Sequence, residues 1–321
     1  MSNSKHPALF AGHAWYVPGV KGMFGLFGWI LLGAVLGAIV EAVMGLFLSK
    51  QVIQNYGDIV TYPLSFLPAM IYAAKQSRKN QPENPGYALN SWHFGPFGLG
   101  IAILLTVLLT IAAMFVIDLP AYWNVRLTNQ SSVMAQFYEW FKEVMEQVVD
   151  GPLWASLLAV AILPPIFEEW ICRGMVLRGL LTRMKPFWAI LISALFFSVM
   201  HLNPWQGIEA LIIDLVMGYI YFKTGSLLLT MIIHFVNNAC FVIAAHIDSL
   251  KDLEADHWVE VMDKTDYAIL YIIACLILAA CLYAFSRIKL KNPWGNIDRI
   301  PAADEMTEPA PAVQPDEEDQ A

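Results

Sequence analysis

The chain has 321 residues, 58% hydrophobic and only 14% charged, with a net charge of −8 and many Trp, Tyr and Phe. A water-soluble domain carries about a quarter charged residues because its outer surface must be wetted, so lipid is the solvent that fits this composition. The acidic balance and long apolar runs exclude nucleic-acid binders, disordered chains and disulfide-rich secreted scaffolds. Cys172, Cys240, Cys275 and Cys281 lie in or beside apolar runs with no CxxC pair, which reads as packing.

A transmembrane helix needs about 20 mostly apolar residues. Eight runs qualify in chain order: Met23 to Leu48, a weaker one from Ile59 to Ala74, Phe97 to Ile117, Pro152 to Ile171, Phe187 to His201, Gly207 to Phe222, Ser226 to Ile247 and Tyr267 to Phe285. The expected fold is an all-α polytopic membrane bundle of about eight transmembrane helices. It divides into an N-terminal cytoplasmic segment (1–22), three helices (23–117), an extracytoplasmic amphipathic segment (118–151), a core (152–247), an acidic loop (248–266), a last helix (267–286) and an acidic, disordered cytoplasmic tail (287–321). In the segment 118–151, Phe137, Trp140, Phe141, Val144 and Val148 recur at three- and four-residue spacing, the pattern of a helix lying on the membrane surface or capping the bundle.

With eight spans, most Lys and Arg fall on one side, including Lys75, Arg78, Lys79, Arg183, Lys185, Lys223 and Arg287. Positive residues favour the cytoplasm, so the chain is expected to be a multi-pass integral membrane protein with both termini cytoplasmic, in the plasma or inner membrane if bacterial.

Ionisable side chains inside a span cost at least a few kcal/mol and call for a partner or a task. Here they are Glu41, Glu168, Glu169, Arg173, His201, Glu209, Asp214, His234 and His246, most of them between 168 and 246. Glu169 and Arg173 are four apart and share a helix face, while Glu168 is rotated by about 100° and is free for another role. Counted from the turn at Pro186, Glu168 and His201 both lie about 25 Å along antiparallel helices and so reach the same depth. The next turn, Thr224-Gly225-Ser226, combines a helix-ending Gly with a capping Ser. Beyond it His234 and Asn238 share a face. His234 comes to that depth only if the helix pair around Pro186 projects about 10 Å beyond the lipid, leaving the Asn203-Pro204 break inside the protein.

An acid, two imidazoles and a carboxamide suit amide hydrolysis, which needs an activated water, a proton for the leaving amine and donors for the oxyanion. Glu168 would take the proton from water and pass it on, His201 would hold that water, and His234 and Asn238 would face the oxyanion. Glu169 and Arg173 would support them. This arrangement requires no cofactor. A metalloprotease version, with Zn²⁺ on Glu168, His201 and His234, uses a known catalytic ligand set, although no H-E-x-x-H string exists. Ser198 and Cys172 lie nearby without a nucleophile motif.

Glu168-Glu169-x-x-x-Arg173, Phe197-x-x-x-His201 and His234-x-x-x-Asn238, in this order on three helices, resemble the motifs of the CAAX-protease and bacteriocin-processing family of membrane peptidases. Thr224-Gly225-Ser226-Leu227 is similar to that family as well. The resemblance covers about residues 152 to 246 and adds Phe197 as a supporting residue. It implies an eight-helix intramembrane endopeptidase related to the enzyme that removes the last three residues of prenylated CAAX proteins. It assigns Glu168 and His201 to water activation and His234 and Asn238 to the oxyanion. Such a hydrolase would act on a membrane-associated or lipidated protein or peptide within the bilayer, with no nucleic-acid partner and a site opening toward the cytoplasmic leaflet. The competing readings are an ion or proton-coupled transporter and a non-catalytic immunity or scaffold membrane protein.

Overall fold

The structure, a computed structural model, describes residues 16–79, 90–92, 94–247, 257–288, 291–292 and 295–296. Residues 248–256 of the acidic loop, nearly all of the acidic tail and residues 1–15 of the N-terminal segment lie outside them. The protein is a helical membrane bundle. Its helices are α1 (Val20–Met44), α2 (Lys50–Lys79), α3 (Leu99–Thr128), α4 (Ser132–Val149), α5 (Leu153–Leu181), α6 (Pro186–Met200), α7 (Pro204–Thr224), α8 (Leu227–His246), a short α9 (Trp258–Val261) and α10 (Lys264–Ser286). Lys291–Asn292 pairs antiparallel with Gly295–Asn296.

Five helices, α1, α3, α5, α8 and α10, are long and apolar enough to cross a membrane, and α6 is a shorter apolar helix. Large apolar side chains on α1, α3 and α10, among them Val35, Ile39, Leu104, Ile111, Ile272 and Leu276, stay exposed on the outside, as lipid-facing positions do. The second helix is much longer than its apolar run suggested, because Lys50 to Asp58 continue it on one end and Lys75 to Lys79 on the other. Its interior Pro63 and Pro68 are the kind of break that neighbouring helices make tolerable in a membrane. The segment expected at 118–151 divides in two: residues 118–128 complete α3, and only α4 lies across the bundle.

Contacts fix the directions of the long helices. At one end Arg183 donates to the Val17 carbonyl at 3.1 Å, and the Ser91 amide donates to Gly225 at 2.8 Å. At the other, Asn124 donates to the Pro204 carbonyl (2.9 Å), Trp205 to Asn129 (3.0 Å), and His246 meets the Gly151 carbonyl (3.0 Å). The helices α1–α3, α5–α8 and α10 thus run alternately between these two ends.

Small residues allow the first pair to close. Gly33 and Gly37, one turn apart on α1, face Ser65 and Thr61 of α2, and a Cβ on Gly33 would sit 1.7 Å from the Ser65 carbonyl oxygen. This is small-residue packing of the kind that lets membrane helices approach. Gly33→Ala is therefore expected to cost about 1–3 kcal/mol through overpacking, read as a lower thermal midpoint in detergent. An unchanged midpoint would mean that the two backbones do not meet there.

The helix that everything surrounds is α5. Residues 169–182 are buried without interruption, as expected of a helix enclosed on all sides. Its far end is clasped by the N-terminal strap. Arg178 donates to the Tyr16 carbonyl, and a Cβ on Gly179 would lie 2.1 Å from the Pro18 carbonyl.

Candidate functional site

The backbone of α5 is irregular where the site forms. It has π-helical turns at Leu157–Ile162 and Cys172–Leu177 on either side of Leu163–Ile171; such turns are frequent at functional sites. Pro164 has no N–H to give the Val160 carbonyl one turn earlier. The Asn238 carboxamide supplies that bond instead, at 2.9 Å. A defect in one helix thereby fixes the rotamer of a site residue on another. Asn237 donates to the Asn238 carbonyl oxygen at 3.1 Å, and the second N–H of the Asn238 carboxamide remains for other use.

Glu168 and Glu169 have different surroundings. Glu169 is fully buried, accepting from Arg173 Nη1 at 2.8 Å and facing His234 Nδ1 at 2.9 Å. The other side of the Arg173 guanidinium pairs with Asp214 of α7, also fully buried. Phe197 closes the cluster: its ring lies 5.2 Å from the guanidinium carbon and meets the rings of His201 and His234 edge-on at 4.8 and 5.8 Å. The sequence pairing of Glu169 with Arg173 is present, and Asp214 completes it.

Glu168 turns away from this network. Its Oε1 accepts from the Tyr62 hydroxyl of α2, while its buried Oε2 accepts no hydrogen bond among the described residues and lies 3.8 Å from His234 Nε2. Because Glu169 faces Nδ1 of His234, Nδ1 carries the proton and Nε2 is turned to Glu168. His201 is oriented in the same way, since its Nδ1 faces the Phe197 carbonyl at 2.9 Å, and a carbonyl can only accept. His201 caps the C-terminus of α6, just after Met200. Leu202 follows with φ 55°, a left-handed conformation costing about 1–2 kcal/mol for a side-chain-bearing residue. Asn203 then caps α7, accepting from the Gln206 amide at 2.7 Å. The helix break inferred from Asn203-Pro204 is this turn.

Glu168, His201, His234 and Asn238 all line one cavity of about 1100 Å³, together with Tyr62 and Phe197. The four residues proposed from sequence are thus brought to a common space; Glu169 and Arg173 stand behind it. Of the other ionisable candidates, Glu209 and His246 line the cavity and Glu41 does not. Ser198 donates to the Gly207 carbonyl at 2.7 Å and Cys172 is fully buried, so neither is presented as a nucleophile. Tyr62 went unnoticed in the sequence, where a single Tyr in a weak apolar run gives no signal.

The cavity extends toward the end of the bundle that holds α4. Its lining includes Asp118, Lys142, Glu146, Asp150 and His257, and no residue from the connections at 182–185 or 225. Both termini cytoplasmic and a mouth toward the cytoplasmic leaflet were expected together, and the geometry does not allow both, because the mouth and the clustered Lys and Arg lie at opposite ends. Among the described residues no three His, Cys, Asp or Glu side chains form a group that could hold a metal ion. The zinc alternative on Glu168, His201 and His234 gains no support from this arrangement.

Residues 150–240 match the family model of Rce1-like type II CAAX prenyl endopeptidases, the family that the three motifs resemble. The matched stretch begins just before α5 and ends within α8, so it contains all four of these residues. No curated protein and no solved structure matches the chain.

Proposed function

We propose that the chain is an intramembrane endopeptidase that hydrolyses a peptide bond of a membrane-associated or lipidated protein. The observation that carries this reading is the buried Glu168 Oε2, accepting nothing and 3.8 Å from His234 Nε2, in a cavity shared with His201 and Asn238. In the proposed reaction Glu168 removes a proton from a water molecule held by the lone pair of His201 Nε2, and the hydroxide adds to the scissile carbonyl. His234 in its doubly protonated form, with Nδ1–H on Glu169 and Nε2–H toward the substrate, and the second Asn238 N–H would donate to the oxyanion, each donor being worth about 3 kcal/mol. Collapse of the tetrahedral intermediate breaks the C–N bond, and the proton held by Glu168 goes to the leaving amine. Glu169, accepting from His234 Nδ1, fixes the ring and offsets the charge of that doubly protonated form, and no cofactor is invoked.

The test is to incubate the purified protein in detergent with peptides that carry a prenyl group or a transmembrane segment and to identify new termini by mass spectrometry. Cleavage of at least one class is expected; none from any class would remove the proteolytic reading. An open channel would need a cavity reaching both ends, whereas the lining residues come from one end and the bundle centre.

Eight spans with both termini cytoplasmic place α4 and the cavity mouth outside the cytoplasm. A membrane-impermeant thiol reagent applied to intact cells is then expected to label Ser131→Cys, at the exposed start of α4, and to spare Lys185→Cys. The reverse pattern would invert the orientation.

A further inference from the structure

Resting on the proteolytic reading of this site, we propose that its cavity takes a cationic peptide segment, approaching from the end of the bundle that carries α4. The helix α4 presents two faces. Tyr138, Phe141, Lys142, Met145 and Glu146 line the cavity, with Tyr138 and Phe141 packed on the Trp205 ring at 5.3 and 6.0 Å. Val133, Phe137 and Trp140 point the other way and are more than half exposed, the placement of an apolar face at a membrane interface. The stripe read from the sequence is thus split between lipid and cavity, and α4 stands where a chain leaving the bilayer would meet the mouth.

The charge of that mouth is mainly negative, with Lys142 the single Lys or Arg among the described residues of its lining. Asp58, Glu146, Asp150 and Glu209 line the cavity and are solvent-exposed, and among the described residues none of the four makes an ion pair or a side-chain hydrogen bond. The basic groups nearby are engaged. His257 bonds Asp118 at 3.1 Å, His246 turns its two ring nitrogens to the Val242 and Gly151 carbonyls, and Lys142 sits 6.0 Å from the Tyr138 ring centre. The carboxylates do not form a site alone: they continue the wall that begins at the buried, unaccepted Glu168 Oε2. A cleft of one sign concentrates and orients a partner of the other sign, so Lys or Arg flanking the scissile bond would be held while the carbonyl reaches Glu168.

Three fluorescent peptides of one sequence, differing only in carrying four Lys, four Gln or four Glu around the centre, separate the outcomes. Binding is read by anisotropy on full-length Glu168→Gln protein in a zwitterionic detergent, and cleavage on the unaltered protein. The Lys peptide is expected to bind and react about ten-fold better than the Gln peptide. That preference should collapse in the Asp58→Asn/Glu146→Gln/Asp150→Asn variant and, on the unaltered surface, when salt rises to about 0.5 M. Equal binding of the three peptides would overturn the proposal. Cleavage without charge preference would leave the peptidase reading standing and remove this one; a salt-sensitive preference in binding without any cleavage would do the opposite.

Discussion

Glu168→Gln is expected to lower turnover about 10²–10⁴-fold, the contribution of a positioned general base, with little change in thermal midpoint. The substitution keeps the shape of the side chain and an oxygen to accept from the Tyr62 hydroxyl, but the group facing His234 can no longer take a proton from water. Substrate binding should persist, so the loss falls on kcat and leaves KM nearly unchanged. Tyr62→Phe is a graded companion. It strips the donor from Glu168 Oε1 and should reduce kcat about ten-fold, within the range for a lost hydrogen bond to a charged group. The double variant should be no slower than Glu168→Gln alone, because Tyr62 acts through Glu168 and the two effects cannot add. The same assay with a chelator is expected to retain turnover. Glu168→Gln protein that cleaves at the original rate would exclude the carboxylate as the base.

The apolar runs and the ionisable residues interrupting them were enough to read the class of fold and to single out four residues that line one cavity, because charge in a membrane helix is costly and has to be explained locally. Helix rise alone left His234 about 10 Å short of Glu168 unless the helix pair around Pro186 projects beyond the lipid, and the structure brings the two within 3.8 Å. Three features were beyond that reasoning. Tyr62 comes from α2, 106 residues before Glu168 in the chain, and nothing short-range ties them. The π-helical turns of α5 depend on tertiary packing, although Pro164 marks the carbonyl that Asn238 takes up. The direction of the mouth depends on where α4 folds across the bundle, and hydropathy carries no information about which end of a helix pair it covers. Asp214 was visible as a charge in an apolar run, but its partner was not, since Glu169 already accounted for Arg173.

That partner makes Asp214 the most demanding position outside the cavity wall. Arg173 is fully buried between Glu169 and Asp214, and taking one carboxylate from a buried ion network typically costs about 3–5 kcal/mol, because a charge is left without compensation. Asp214→Leu is therefore expected to lower the thermal midpoint by about 10 °C, taking about 2–4 °C per kcal/mol for a chain of this size. Activity should fall with it. Glu169 Oε1 receives both Arg173 and His234, at 2.8 and 2.9 Å, so an Arg173 released on its Asp214 side shifts the carboxylate that orients His234. Arg173→Leu alone should be as damaging, since it leaves two buried carboxylates facing each other. The Arg173→Leu/Asp214→Leu double variant should unfold at a higher temperature than Arg173→Leu alone, because it leaves one buried carboxylate, Glu169, without the guanidinium where that single variant leaves two. It should still be slow, because Glu169 then holds His234 without the guanidinium that fixes its own position. A double variant less stable than Arg173→Leu would show that Asp214 answers to a partner other than Arg173.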